Sequence, residues 1–175
     1  MLRLIKKNSM KGIYLLRLLL PFCILLSPAV NAQSMKEDKK KAKQEQLAAQ
    51  IEARHFTFNA QSATSARGRT RQLTGSNTLV VQGDSLDAYL PYFGRAYSAT
   101  PGDTHGGINF SSTSFSYDAQ PAKNGGWTIS IKPKDEKDAS NMQLSISVDG
   151  YATLQVTSNN RQMISFYGQV TGNKK

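Results

Sequence analysis

Cysteine is all but missing from this chain. Cys23 is its only instance, and it sits in an N-terminal segment expected to be removed, so the mature protein is left without disulfides, thiol catalysis or a cysteine-based metal site. Histidine is nearly as scarce: His55 and His105 are the only two, of the one side-chain type whose ordinary range lies near neutrality. Long apolar runs are absent as well. The best of them, "LLLPFCILL" from Leu18 to Leu26, falls well short of the roughly 20 residues that span a bilayer. No acidic residue precedes Glu37, and no internal repeat is visible. A phosphate loop is excluded too, because "GGI" at Gly106 follows no strand-to-helix transition and no Gly-Lys-Ser/Thr occurs.

The N-terminus itself is informative. Arg3, Lys6, Lys7, Lys11 and Arg17, then the short apolar run, then "SPAVNA" with Val30 and Ala32 as small residues, predict a secretory signal peptide over 1–32, cleaved between Ala32 and Gln33. Phe22 before Cys23 is too bulky for a lipid-attachment signal, so Cys23 reads as an ordinary apolar-run residue. Export fits the missing cysteines only if core packing alone holds the domain together. Losing those five basic residues lowers the formal charge from +10 to +5. A mildly basic exported chain suits anionic glycans or membrane surfaces and argues against nucleic acid as a partner. The mature protein is expected to have no transmembrane segment.

Residues 33–54 form a charged lead-in. "MKEDKKKAKQEQLAAQIEAR" contains strong helix formers and no Gly or Pro, with Glu37 four residues before Lys41, and predicts a helix from Met35 to Arg54. Only Leu47, Ala48 and Ile51 share an apolar side, so the last two turns alone should dock.

From His55 the period changes to two. Phe56, Phe58 and Ala60 alternate with His55, Thr57 and Asn59; Trp127, Ile129 and Ile131 alternate with Thr128, Ser130 and Lys132; Met142, Leu144, Ile146 and Val148 alternate with Gln143, Ser145 and Ser147. Such segments are half-buried antiparallel strands. Asp149-Gly150 predicts a tight type I′ hairpin into "YATLQV", "KNGG" joins the strand around Phe115 and Tyr117 to Trp127, and "TSNNR" precedes "QMISFYGQV". With "NTLVVQG" and strands near Ala88 and Tyr97, residues 55–175 read as one all-β domain, a single antiparallel β-barrel or β-sandwich of roughly 7–9 strands behind one charged helix.

The order of landmarks resembles an exported Bacteroidota family, domain of unknown function 4251. The resemblance rests on "FTFNAQSA", "LPYFGRAYSA", "GGINF" with "FSY" after it, "GGWTISIK", "SISVDGYATLQVTSNNR" and "ISFYGQV". Its most specific pieces are "LPYFGRAYS" at Leu90–Ser98 and "SNNRxxISFYG" at Ser158–Gly168. The resemblance implies export and a compact strand-rich domain, and it implies no activity or catalytic residues.

Two stretches stand out as candidate binding surfaces. In "DAYLPYFGRAYSATPGDTHGG", Pro91 ends a ladder and Gly94 permits a turn, while Tyr92, Phe93, Arg95 and Tyr97 crowd the bend, with Asp103 and His105 following. Aromatic rings with polar tips plus an arginine are the composition of recognition surfaces and equally of packed corners. In "SARGRTRQ", Arg67, Arg69 and Arg71 alternate and would share one side of an extended segment, as an anion patch or as the charged defence of an edge strand. Arg95 and Arg161 are candidates to extend that patch. Catalysis has weaker support: His105, Asp103 and serines such as Ser98, Ser111 and Ser112 can be written as a triad, but a triad is defined by geometry. Asp84, Asp103 and His105 have no metal-ligand spacing, so neither metal nor cofactor is expected. The leading expectation is a periplasmic or surface-exposed, non-enzymatic envelope binding module for a ligand or envelope component of open identity, anionic ones among the candidates; the alternatives are a hydrolase using His105 and Asp103, or a structural envelope protein with no small ligand.

Overall fold

The computed structural model describes residues 29–97, 106–137 and 139–173. The expected signal peptide therefore lies almost wholly outside the described residues, and so do Ser98, Asp103 and His105. Among the described residues no helix is long and apolar enough to cross a membrane.

A helix, α1 (Ala29–Glu52), leads into the strands. Its segment up to Lys41 groups separately from the compact unit that begins at Ala42. Within that unit Leu47 and Ile51 are buried, as their four-residue spacing predicts. The helix stops in a left-handed residue, Arg54 (φ 56°), after which the chain turns into the sheet. Two bonds absorb the carbonyls that a helix end leaves open: the Tyr117 hydroxyl donates to the Ile51 carbonyl at 2.9 Å, and Gly83 N–H donates to the Arg54 carbonyl at 2.8 Å.

The strands are β1 (His55–Ser65), β2 (Thr70–Gln72), β3 (Thr78–Gln82), β4 (Ser85–Leu90), β5 (Ile108–Ser112), β6 (Phe115–Pro121), β7 (Trp127–Pro133), β8 (Asn141–Ile146), β9 (Tyr151–Thr157) and β10 (Ile164–Gly172). Nine of them follow the order β5-β4-β3-β1-β10-β9-β8-β7-β6, a nearly closed antiparallel barrel, and β2 pairs with β1 off that path. Every neighbour along the path is antiparallel, so β5 and β6 at its two ends run in the same direction. Only Thr113 and Ser114 separate them. They are two legs of one bent run, the first laddered to β4 and the second to β7. The bend is pinned: the Ser112 hydroxyl donates to the Asp135 carboxylate at 2.6 Å, Ser114 N–H donates back to Ser112 Oγ at 3.1 Å, and Lys134 N–H donates to the Ser114 carbonyl at 2.8 Å.

Alternation fills the interior. Phe56, Phe58, Leu79, Leu86, Leu90, Ile108, Ile129, Ile131, Met142, Leu144 and Phe166 are each less than 2 % exposed. A barrel of this strand number is just wide enough for side chains to fill it. Burying each such side chain contributes about 1.5–3 kcal/mol, which is how the domain holds without disulfides.

Two local expectations need correction. The hairpin at Asp149-Gly150 is not type I′: among the described residues Arg54 is the only non-glycine with positive φ, so Asp149 is not left-handed. The chain instead closes Ser147–Gly150 by a Gly150 N–H bond to the Ser147 carbonyl at 3.0 Å, with Gly150 at φ 87° and Val148 in the turn rather than in the strand. The turns at Ala122–Gly125 and Ser65–Gly68 share this construction, with Gly125 at φ 79° and Gly68 at φ 77°. Each is a type I-like turn followed by a left-handed glycine, the common longer hairpin connection. Nor is there a strand at Tyr97. Residue 96 makes one isolated bridge with Arg161, because Pro91 has already ended the ladder.

Candidate functional site

The barrel end opposite α1 is closed by loops. Beyond Leu90 and Pro91 the chain turns so that the Tyr92 hydroxyl meets two carbonyls, donating towards Arg95 O at 2.9 Å and Gln162 O at 3.0 Å. Gly94 makes this possible: a Cβ there would stand 2.2 Å from that hydroxyl. The strap then pairs with the loop before β10, through Tyr97 N–H to the Asn160 carbonyl at 2.8 Å and Gln162 N–H to the Arg95 carbonyl at 3.1 Å. Arg161 lies beneath, 8 % exposed, with its guanidinium 5.2 Å from the Tyr92 ring centre and Nη1 donating to the Gly107 carbonyl at 2.9 Å. Burial raises the Tyr92 hydroxyl above its ordinary pKa, against the pull of the Arg161 charge. The two stretches that carry the family resemblance most specifically are thus bound to each other.

This arrangement divides the sequence candidates. Tyr92 is half-buried and ties backbone, the packed-corner role. Phe93 is 37 % exposed and Tyr97 68 % exposed, so neither belongs to the core. Arg95 is exposed beside them. The segment "SARGRTRQ" is not extended throughout, so the shared side that extension would give its arginines does not form: Arg67 sits in the turn of the β1–β2 hairpin, Arg69 follows it, and Arg71 lies in β2. The hairpin nevertheless brings them to the aromatic strap. The Arg71 guanidinium stands 4.9 Å from the Phe93 ring centre, a cation–π contact. Arg67, Arg69, Phe93 and Arg95 line a single groove of about 340 Å³, floored by Ser65 and Gln162.

The two stretches therefore meet at one groove, with Arg95 beside Arg67 and Arg69. No carboxylate among the described residues lies in ion-pairing range of Arg67, Arg69, Arg71 or Arg95. The groove concentrates positive charge with free guanidinium forks, which match the oxygens of carboxylate or phosphate in pairs. Ser65 and Gln162 were missed in the sequence because nothing but tertiary contact marks them. Arg161 extends the packing beneath the strap rather than the charged surface.

The catalytic reading gains nothing from the described residues. Asp103 and His105 fall outside them, and the other histidine, His55, is at the helix end with Nδ1 2.7 Å from the Ala53 carbonyl. Ser111 and Ser85 do contact a carboxylate, that of Asp87, but without a histidine. Among the described residues no three His, Cys, Asp or Glu side chains gather into a metal-binding group.

The fold has a solved counterpart. A crystal structure of a DUF4251 family protein from Bacteroides eggerthii, a member of the Bacteroidota, superposes with a TM-score of 0.54 at 17 % identity, covering 75 % of this chain and 88 % of that one. At that identity the likeness shows the fold alone. No curated protein matches the chain. The model of the family described as Domain of unknown function (DUF4251) matches residues 38–170, most of the barrel and the docked part of α1, and by that match the chain belongs to the DUF4251 family.

Proposed function

We propose that this protein is an exported, non-enzymatic binding module of the cell envelope that holds an acidic glycan in the arginine groove. One observation carries the reading: Arg67, Arg69 and Arg95, distant in sequence, converge with the exposed Phe93 ring on a groove that has no counter-charge among the described residues. Concentrated like charge is costly to a fold through self-repulsion, and it is stabilised when an anion arrives. The guanidinium forks would grip carboxylate or phosphate oxygens, and Phe93, steadied by Arg71, offers a flat apolar surface to a sugar ring. The interior is filled by side chains such as Phe58, Leu79, Ile131 and Phe166, which favours a surface groove over the space among the strands. Secretion by a cleaved signal peptide over 1–32 is part of the proposal and is read from the basic, apolar and small-residue order of that segment.

The test is isothermal titration of the mature chain with hexagalacturonate, repeated with Arg67→Ala/Arg69→Ala and with Arg95→Ala. Binding that weakens at least tenfold in either variant, and weakens again between about 50 and 200 mM salt as screened charges must, supports the site. Equal affinity in the variants overturns it. Stronger capture by phosphatidylglycerol vesicles than by the glycan would overturn the ligand class in favour of a lipid surface.

A further inference from the structure

A second surface, at the outer side of β7–β10, has the opposite chemistry. Its groove of about 540 Å³ is bordered by Tyr151 and Tyr167, with Asn124 and Ser147 contributed by the two hairpin turns, and it reaches the margin of Trp127, which packs against the core. None of the groove's lining side chains is charged. That is unusual in a chain with 22 basic and 12 acidic residues, since solvent-facing sheet surfaces ordinarily mix charges of both signs for solubility.

The register explains what replaces charge. Tyr167 stands opposite Thr153, Thr153 opposite Ser145, and Ser145 opposite Thr128, so four hydroxyl-bearing side chains form one row across β10, β9, β8 and β7. The next row, Ser165, Gln155, Gln143 and Ser130, is again polar and uncharged. Three strand spacings of about 4.8 Å make each row about 14 Å long, the reach of a di- or trisaccharide. At its edge the rings of Tyr151 and Tyr167 lie parallel, 5° apart in plane and 6.1 Å between centres, 44 % and 48 % exposed by residue.

We infer that this surface is a binding site for a neutral oligosaccharide. Sugars present an apolar face of axial C–H groups and a rim of hydroxyls. Parallel exposed rings accept the face, and a row of Ser, Thr and Tyr hydroxyls, each both donor and acceptor, meets the rim. The lining offers a charged ligand no counter-charge; an apolar one would leave the hydroxyl row dehydrated and unpaired. The groove volume is within the roughly 300–1,000 Å³ of small-molecule sites. This site is independent of the arginine groove.

Trp127 is the chain's only tryptophan and, though packed against the core, has a margin on the groove, so its emission serves as a reporter of occupancy. Titration of the mature chain with cellohexaose and with maltohexaose should shift that emission saturably for at least one of them. Tyr151→Ala/Tyr167→Ala should weaken the response tenfold or more, Tyr151→Phe/Tyr167→Phe should keep most of it because the rings remain, and Thr128→Val/Ser145→Ala should weaken it with the rings intact. Unaltered circular dichroism in each variant shows that the fold is preserved. Arg69→Ala should leave the response unchanged. No shift with either sugar at millimolar concentration overturns the inference, as does a shift that survives loss of both rings. A dimer in analytical ultracentrifugation that Tyr151→Ala/Tyr167→Ala dissociates, without any sugar response, would also overturn it by making this face a contact between copies.

Discussion

The two ends of the barrel are closed by different means, and each means suits a different task. At one end the last turns of α1 bring Leu47 and Ile51 into the core, the half-buried Tyr117 hydroxyl holds the helix carbonyl, and charge is confined to exposed contacts such as Arg54–Asp84 at 3.9 Å. At the other, backbone bonds and the Tyr92–Arg161 pair fasten two loops, leaving the guanidiniums of Arg67, Arg69 and Arg95 towards solvent. Apolar closure stabilises and hides its residues. Closure by hydrogen bonds spends less apolar surface, and its outer side remains available for recognition.

Substitutions at each end should separate these roles. Ile51→Ala, at a fully buried position, should cost about 2–5 kcal/mol of stability in urea unfolding and leave hexagalacturonate affinity of the folded protein unchanged; a loss below about 1 kcal/mol would mean that α1 is a detachable cover. Tyr92→Phe removes one hydroxyl from two carbonyls and should cost about 1–2 kcal/mol. Unlike Ile51→Ala it should also weaken glycan binding, because Arg95 and Gln162 shift with the strap; intact affinity would uncouple the fastening from the groove.

Alkali offers a third comparison. Burial pushes the Tyr117 hydroxyl up to about 12, with Arg54 pulling the other way. A phenol that keeps its proton longer in the folded state contributes stability that is whole below pH about 10, its unfolded value, and is lost as pH rises to about 12. Melting temperature should therefore fall across that window, and less steeply in Tyr117→Phe. An identical slope in the variant would assign the fall to other groups. The smallest stability effect belongs to Arg67→Ala/Arg69→Ala. These exposed side chains lack ion pairs among the described residues, so unfolding should change by no more than about 0.5 kcal/mol while anion binding falls; a large destabilisation would make the hairpin a structural brace.

Much of this division is written in local sequence. Period-two stretches such as Met142–Ile146 and Phe56–Ala60 place the barrel's inward residues because alternation is a property of the strand itself. The docking of Leu47 and Ile51 follows likewise from helical spacing. Turn geometry was less legible: Asp149-Gly150 is compatible with two hairpin constructions, and the choice depends on whether Val148 stays paired. The arginine groove was visible as two fragments, with Arg95 a candidate to join them but no pattern to place it. Joining Arg69 to Arg95 requires the β1–β2 hairpin to fold over the strap after β4, a contact between parts of the chain that share no periodic pattern. The Tyr151–Tyr167 pair was hidden for a related reason, since reading alternation for the core directs attention away from the outward residues, and only the register across β7–β10 aligns them.

The bend at Thr113 and Ser114 has a kinetic consequence. The barrel's ladders join segments within a few tens of residues of each other except β1 with β10, where Phe56 meets Gly172 and Ser65 meets Ile164. With β5 and β6 sharing one bent run, the chain can assemble as a curling ribbon that stays open until its first and last strands meet. That late, long-range meeting should limit the folding rate, since loop closure must precede the contacts that reward it. Until it occurs, β1 and β10 are unprotected edges, each a template for pairing with another chain. The same suture that completes the barrel is therefore its point of exposure to aggregation, and substitutions along it should slow refolding more than equal losses within the β6–β7 hairpin.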